Sequence, residues 1–233
     1  MINKNFSRTE LLLGAAAMEQ LKASTVAVFG IGGVGSFAVE ALARAGVGHL
    51  VLIDHDVVDV TNINRQLHAT TKTIGQNKAD LMRNRILDIN PSAVVDVVDE
   101  FFLPNKNTDN FFICDYDYVI DAIDTVTGKI GLVVECERRG IKIISSMGAG
   151  NKIDPTKFKV ADIFDTSIDP LAKVMRKKLK ELGIKNLKVV YSTENPIQIS
   201  TSQNSSTKII GSVSFVPSVA GLILAGEVIK DLI

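Results

Sequence analysis

The chain has 233 residues, of which 46% are hydrophobic and 22% are charged. This composition excludes a disordered or low-complexity chain, and the length is sufficient for one α/β domain that needs no disulfide or metal to hold its core. The 26 basic and 26 acidic side chains balance, which argues against attachment to nucleic acid by bulk charge but leaves a local basic patch open.

Cysteine content and apolar runs indicate the cellular setting. The two cysteines, Cys114 and Cys136, can form neither a disulfide framework nor a four-cysteine zinc site, and free thiols suit the cytoplasm. Residues 11–18 resemble a short signal peptide, but acids bracket the run, so we predict an N-terminal helix with an apolar face. We interpret the uncharged run 209–226 as a buried strand, a turn and a core helix beginning at Pro217. No membrane partner is predicted.

Strand-like and helix-like segments alternate through the first two thirds of the chain. Predicted strands cover residues 24–29, 49–53, 93–98, 118–123 and 141–145, and predicted helices cover residues 34–45, 78–89 and 126–139. Strands that are apolar on both faces indicate a parallel sheet. We therefore predict a Rossmann-like α/β fold whose mostly parallel sheet is covered by helices on both faces, with ligands at its carboxyl edge.

The pattern changes after residue 150. It reads as an irregular acidic stretch (155–169), a basic helix (171–182), a strand (187–191), a polar segment interpreted as a mobile loop (194–208), and a closing strand and helix. No repeat or linker interrupts the sequence. We predict a single domain, 1–233, with a helical arm (1–22), an insertion (151–210) that contains the mobile loop, and a C-terminal extension that completes the sheet.

A glycine-rich turn follows the first predicted strand and opens the first long helix. Its glycines (Gly30, Gly32, Gly33 and Gly35) permit a tight turn and a close approach of backbone N–H groups to phosphate. Asp54 ends the second strand, where a carboxylate can accept hydrogen bonds from ribose hydroxyls. This order predicts a nucleotide site, and taken alone it suggests NAD.

Charged residues on later loops point instead to chemistry at phosphorus. Hydride transfer needs no cations beyond those that bind the nucleotide, whereas Arg65 and Lys78 together can neutralise a departing pyrophosphate. Asp124, at the end of the fourth predicted strand, is placed to hold Mg²⁺ between phosphate oxygens.

Residues 30–36 (GIGGVGS), 54–66, Lys78 and 121–125 (DAIDT) resemble the ubiquitin-activating-enzyme-like (ThiF/MoeB-like) adenylating superfamily. The resemblance implies ATP-dependent adenylation of a carboxylate with ATP and Mg²⁺. It implies an ATP site made of Gly30, Gly32, Gly33, Gly35, Asp54, Asp56, Asn62, Asn64, Arg65, Gln66, Lys78, Asp121 and Asp124. Arg65, Lys78, Asp124 (also the metal ligand) and Arg8 would be catalytic, with Arg8 acting in trans within a homodimer.

Within the superfamily, the sequence is most similar to the tRNA threonylcarbamoyladenosine dehydratases. Residues 8–14, 145–149, 152–155, 160–163, 170–172, 190–194 and 211–224 carry this similarity. It implies that ATP is used to close the threonylcarbamoyl side chain of the adenosine beside the tRNA anticodon into a ring. A monovalent cation and a sulfur-acceptor relay protein stay open as further partners.

The basic helix lies in the insertion 151–210, which the resemblance makes the substrate- and tRNA-facing part of the domain. For an arbitrary protein such a helix is usually a solvated face, but the resemblance makes it a candidate tRNA site. Its candidate residues are Lys173, Arg176, Lys177, Lys178 and Lys180.

Three other functions stay open. An activator of the C-terminal glycine of a small ubiquitin-like sulfur-carrier protein usually carries two CxxC zinc pairs, and this sequence has none. An NAD(P) oxidoreductase would change the absorbance of its cofactor without releasing pyrophosphate. A non-catalytic nucleotide-binding scaffold would bind ATP tightly without turnover.

Overall fold

One seven-stranded sheet organises the computed structural model, which describes residues 4–104, 106–199 and 210–233. The strands are β1 (Thr25–Phe29), β2 (His49–Ile53), β3 (Val94–Val98), β4 (Tyr118–Asp121), β5 (Lys142–Ser146), β6 (Phe158–Asp162) and β7 (Lys188–Ser192). Their order is β3-β2-β1-β4-β5-β7-β6, and every pairing is parallel except that of β6 with β7. The predicted Rossmann-like α/β class is confirmed.

Helices cover both faces of the sheet. They are α1 (Ser7–Leu13), α2 (Ala15–Ala23), α3 (Gly35–Ala45), α4 (Lys78–Ile89), α5 (Val126–Arg139), α6 (Pro170–Glu181) and α7 (Phe215–Leu232). Val26 and Val28 of β1 lie in a core with α3, α4 and α7, whereas Ala27 and Phe29 pack toward α5. Because both faces are covered, the central strands carry apolar residues on both faces.

Local capping determines where the helices near the carboxyl edge begin. The side chain of Asn77 accepts a hydrogen bond from the backbone N–H of Asp80, so α4 begins at Lys78. Asp169 caps α6 in the same manner through the N–H of Ala172, and Pro170 occupies the first turn. Both starts agree with the sequence prediction to within one residue.

The N-terminal prediction is wrong in one respect. Residues 11–18 are not one helix, because α1 ends at Leu13 and α2 begins at Ala15. Gly14 between them adopts φ 84° and ψ 161°, a conformation that only glycine adopts readily. Leu11 and Leu12 are 85% and 88% exposed, so none of the described residues covers these two side chains.

In the C-terminal third, the structure departs further from the elements predicted from the sequence. Residues 155–169, predicted to be irregular, contain β6, which forms the sheet edge and leaves Lys159 and Val160 exposed. The predicted closing strand is wrong where it can be checked, because residues 210–214 form no strand, and α7 begins at Phe215 rather than Pro217. The C-terminal part therefore completes the sheet through β6 and β7.

Residues 194–199 contain no helix or strand, and the rest of the predicted mobile loop, 200–208, lies outside the described residues. Within the described ranges, no helix combines the length and the apolar character needed to cross a membrane.

Candidate active site

A cavity of about 460 Å³ lies at the carboxyl edge of the sheet. The predicted residues that line it are Gly30, Gly32, Gly33, Asp54, Asp56, Asn62, Arg65, Gln66, Lys78 and Asp124. These residues come from the ends of β1, β2 and β4, from the connection between β2 and α4, and from the start of α4. The edge predicted from parallel-strand topology is therefore where they meet.

The four predicted glycines serve two purposes. A Cβ on Gly35 would lie 1.8 Å from the carbonyl oxygen of Gly30, so these two residues make the turn between β1 and α3 possible. Gly32 and Gly33 face the cavity, and a Cβ on Gly32 would meet nothing closer than the Nε2 of Gln66, at 3.8 Å. Gly35 is not among the residues that line the cavity, and its predicted place in the ATP site stays a prediction.

Asp54 holds the glycine turn against the end of β2. One carboxylate oxygen accepts a hydrogen bond from the N–H of Ile31 at 2.6 Å, and the other accepts one from the N–H of Asp56 at 2.8 Å. Burial raises the pKa of Asp54, and its two backbone hydrogen bonds oppose that shift. Each oxygen keeps lone-pair capacity for a further donor, such as a ribose hydroxyl.

Lys78 is a buried cation in the cavity wall. Its Nζ lies 2.7 Å from Oδ2 of Asp56, which is half exposed to the cavity. Because Lys78 also occupies the first position of α4, its backbone and its charge both contribute positive potential there. An anion bound in the cavity would compete with Asp56 for this ammonium group.

Arg65 is held by the loop that carries it. Its Nη1 donates to the carbonyl of Thr61 and to Oδ1 of Asn64, each at 2.9 Å. Asn62 is occupied as well, because its side chain accepts from the N–H of Asp59 in a reciprocal capping box. Asn64 is not among the residues that line the cavity. Its Oδ1 orients Arg65, and its Nδ2 donates to the carbonyl of Ser212.

Two predicted acids occupy very different places. Asp124 is exposed and lines the cavity. Asp121 is fully buried, and its Oδ2 accepts hydrogen bonds from Lys129, at 3.0 Å, and from Ser145. Its other oxygen accepts from the N–H of Ile123 at 3.1 Å. Asp121 therefore fixes the turn that carries Asp124 and is not among the residues that line the cavity. Its predicted contact with ATP stays a prediction.

Sequence reasoning missed part of the cavity wall. The additional lining residues include His55, Glu100, Phe101, Phe102, Ala149, Gly150, Ile210 and Ser212. His55 and Phe101 meet edge to face with ring centroids 4.8 Å apart, and Phe101 remains 42% exposed at the cavity mouth. The position of Phe101 and Phe102 just after β3 was a usable signal, because that strand also ends at the carboxyl edge.

Two buried polar side chains, those of Gln66 and His68, contain atoms that find no hydrogen-bond partner among the described residues. These atoms are Oε1 of Gln66 and both ring nitrogens of His68. Burial lowers the pKa of His68 to about 4, and the charge of Lys78 adds to the shift. His68 is therefore neutral at physiological pH.

The remaining predicted residues lie away from the cavity of their own chain. Arg8 is exposed on α1 and is not among the described lining residues. On α6, Arg176 donates to the carbonyl and the hydroxyl of Thr166, and Lys178 pairs with Glu181 at 3.1 Å. Lys173, Lys177 and Lys180 are exposed at i, i+4 and i+7 spacing, which places them on one face.

Comparison with known proteins identifies the family. The model of the ThiF family matches residues 6–233. The chain belongs to the ThiF family. It is 52% identical to the tRNA threonylcarbamoyladenosine dehydratase of Bacillus subtilis (strain 168), across 98% of this chain and 94% of that protein.

Solved structures extend the comparison to three dimensions. The crystal structure of the Escherichia coli tRNA N6-threonylcarbamoyladenosine dehydratase in complex with AMP has a TM-score of 0.90 and 38% identity, covering 98% of this chain and 94% of that one. The same enzyme in complex with ATP has a TM-score of 0.89 and 38% identity, covering 98% and 93%. The resemblance and the fold predicted from the sequence are thus confirmed.

The thiols of this ThiF family member are poor nucleophiles. Burial raises the pKa of Cys136, and both burial and neighbouring acids raise the pKa of the exposed Cys114. Since the thiolate is the reactive form, both groups are suited to remain protonated thiols at neutral pH. This chemistry does not favour a thioester or sulfur-transfer step on the chain itself.

Proposed function

We propose that this protein catalyses the ATP-dependent dehydration of threonylcarbamoyladenosine beside the anticodon of tRNA. The observation that carries the proposal is the convergence of the glycine turn, Asp54, Arg65, Lys78 and Asp124 on one cavity. That cavity combines backbone donors, a ribose-type acceptor, two cations and an exposed carboxylate. The similarity to dehydratases along nearly the whole chain supplies the substrate.

The first step forms an acyl adenylate. An oxygen of the threonyl carboxylate attacks the α-phosphorus of ATP, and the bond from that phosphorus to pyrophosphate breaks. Negative charge grows on the departing pyrophosphate, and Arg65 and Lys78 stabilise it in the cavity. N–H groups of the glycine turn would bind the phosphates, and Asp54 would accept from the ribose.

Mg²⁺ fits the residues present. Asp124 offers a carboxylate on the cavity wall, and Mg²⁺ in nucleotide sites is commonly held by one or two carboxylates together with substrate phosphates. When bound, the ion would neutralise phosphate charge. The role of Asp121 is to fix the turn, so that the carboxylate of Asp124 faces the cavity.

The second step closes the ring. The carbamoyl group of the same side chain attacks the activated carbonyl and gives up one proton, and AMP departs with the former carboxylate oxygen. Because nucleophile and electrophile belong to one side chain, proximity provides a large effective molarity. No enzyme nucleophile is needed, in agreement with the raised pKa of both thiols.

The proposal includes a homodimer in which Arg8 reaches the ATP site of the partner subunit. Support comes from the position of Arg8 on α1, beside the exposed apolar side chains of Leu11 and Leu12. The tRNA would lie along the face of α6 that carries Lys173, Lys177 and Lys180. A cytoplasmic location, a monovalent cation and a sulfur-acceptor relay protein stay predictions.

The deciding experiment measures nucleoside mass after incubation of the protein with ATP and tRNA that carries threonylcarbamoyladenosine. We expect a loss equal to one water, together with AMP and pyrophosphate. With an ¹⁸O-labelled carboxylate, the label should appear in AMP. ATP–pyrophosphate exchange that depends on a carrier protein instead of tRNA would favour the sulfur-carrier activator, and ATP binding without turnover would favour the scaffold.

A further inference from the structure

A buried ion pair joins α6 to the loop that follows β5. The Nζ of Lys152 lies 2.8 Å from Oδ2 of Asp169, and both side chains are almost completely shielded from solvent. Lys152 also donates to the carbonyl of Gly148, and a Cβ on Gly148 would lie 3.3 Å from Oδ2 of Asp169. The ammonium group thus binds both segments at once.

Each end of the pair has a second attachment. Asp169 caps α6 through the N–H of Ala172, so its position sets where the basic helix begins. Between Gly148 and Lys152, the next two residues, Ala149 and Gly150, form part of the cavity wall. One ion pair therefore connects the first turn of α6 to the wall of the nucleotide cavity.

Asn151, beside Lys152, connects the same loop to residues 210–212, which form another part of the cavity wall. Its backbone N–H donates to the carbonyl of Gly211 at 2.8 Å, and its Oδ1 accepts from the N–H of Gly211 at 2.6 Å. Ile210 and Ser212, on either side of Gly211, line the cavity. The segment 148–152 thus touches the cavity, its neighbouring wall and α6.

Backbone strain marks both sides of the ion pair. Asn151 (φ 57°) and Ile168 (φ 65°) immediately precede Lys152 and Asp169, and they are the non-glycine residues with positive φ in the described part of the chain. For a β-branched residue such as Ile168 this conformation is unfavourable. Strain of this kind persists where the surrounding structure over-determines the geometry.

Stability alone does not account for such an arrangement. Desolvating two charges offsets most of their attraction, and well-packed apolar side chains are often as stable as a buried ion pair. What an ion pair supplies, through its directional hydrogen bonds, is a fixed geometry between the segments it joins. Here the segments are the cavity wall and the first turn of the basic helix.

We propose that Lys152 and Asp169 are positioning residues that fix the basic face of α6 relative to the nucleotide cavity. This inference rests on the proposed function. Lys173, Lys177 and Lys180 lie progressively farther from Asp169 along α6, at about 1.5 Å of rise per residue. The pair therefore sets the distance between the bound tRNA backbone and the adenosine whose carboxylate must reach ATP.

The test is a double-mutant cycle on tRNA dehydration. K152M/D169N removes both charges, and asparagine keeps the helix cap. We expect this variant to lose tenfold or more in kcat/KM, because small misplacements of a substrate can cost up to about a hundredfold. Its ATP affinity should stay within twofold of the parent. K177E should cost about tenfold in the parent and less than threefold in K152M/D169N.

The outcomes separate the two proposals. Equal effects of K177E in both backgrounds would overturn the positioning role, as would unchanged kcat/KM in K152M/D169N. Failure of the parent chain to dehydrate the tRNA would instead overturn the proposed function. K152Q/D169N, whose amide side chains carry no charge but can still hydrogen-bond, serves if K152M/D169N does not fold. Lys188→Met, which removes the ion pairs with Glu227 and Asp231 at the amino edge of the sheet, is the control.

Discussion

Lys129 and Asp121 form an ion pair, 3.0 Å long, whose side chains are 1% and 0% exposed beneath the turn that carries Asp124. Lys129 reaches it from the first turn of α5, and Asp121 is the last residue of β4. The pair thus joins the sheet to the helix on either side of the turn. Its burial makes each charge dependent on the other.

Removing one partner should be costly. We expect Lys129→Met to lower the free energy of unfolding by about 3–5 kcal/mol, because Asp121 would remain buried and charged. Lys129→Met combined with Asp121→Asn should recover much of this loss. Urea unfolding monitored by circular dichroism measures both, and Arg138→Met, at an exposed ion pair, should cost at most about 1 kcal/mol. Equal losses at Lys129 and Arg138 would contradict the account.

Asp124→Asn should separate catalysis from folding. The substitution removes the exposed cavity carboxylate without changing its size, so we expect ATP–pyrophosphate exchange to fall roughly a hundredfold. The unfolding midpoint should stay within a few degrees of the parent. The exposed Asp115, changed to Asn, is the control and should exchange normally. Near-normal exchange in Asp124→Asn would remove this residue from the proposed chemistry.

The glycine turn should respond differently at its two kinds of position. Gly32→Ala has room for its Cβ, so the protein should fold, but the methyl group would face the cavity and weaken ATP binding tenfold or more. Gly35→Ala should fail to fold, because its Cβ would lie 1.8 Å from a backbone oxygen. Calorimetric titration and thermal melts measure the two effects. Gly226→Ala is the control: no atom lies within 4 Å of its added Cβ, so neither ATP affinity nor the melting temperature should fall.

His68 should make stability depend on pH. Its pKa is lowered to about 4 in the folded chain from 6.5, so the unfolded chain binds a proton first as the pH falls. This contribution is complete above pH 6.5 and is lost as the pH falls toward 4; from pH 7 to pH 5 the loss is about 2 kcal/mol. His68→Gln should lose correspondingly less stability over that interval.

The basic face of α6 should give a salt-dependent signal. Lys177→Glu should weaken tRNA binding and reduce the slope of log affinity against log salt by about one. Filter binding between low and moderate salt measures both quantities. Lys22→Glu on α2 makes the same charge change and should leave the slope unaltered. An unchanged slope in Lys177→Glu would show that this face of α6 does not contact the RNA.

The sequence by itself determined the α/β architecture and the edge at which Asp54, Lys78 and Asp124 meet. It could do so because strand periodicity and right-handed crossovers place the ends of parallel strands together. It also supplied the family, since the motifs that carry the resemblance are local in the chain.

Tertiary structure alone decided which polar residues face ligand and which hold the fold. Asp121 and Asp124 are both acids in the same short motif, yet only burial against Lys129 and Ser145 separates them. β6 escaped prediction because an edge strand exposes residues such as Lys159, and its pairing with β7 is set by distant chain segments. The Lys152–Asp169 pair could not be predicted from the sequence either. A charged side chain is expected to be exposed, and only the tertiary structure shows that these two are buried against each other.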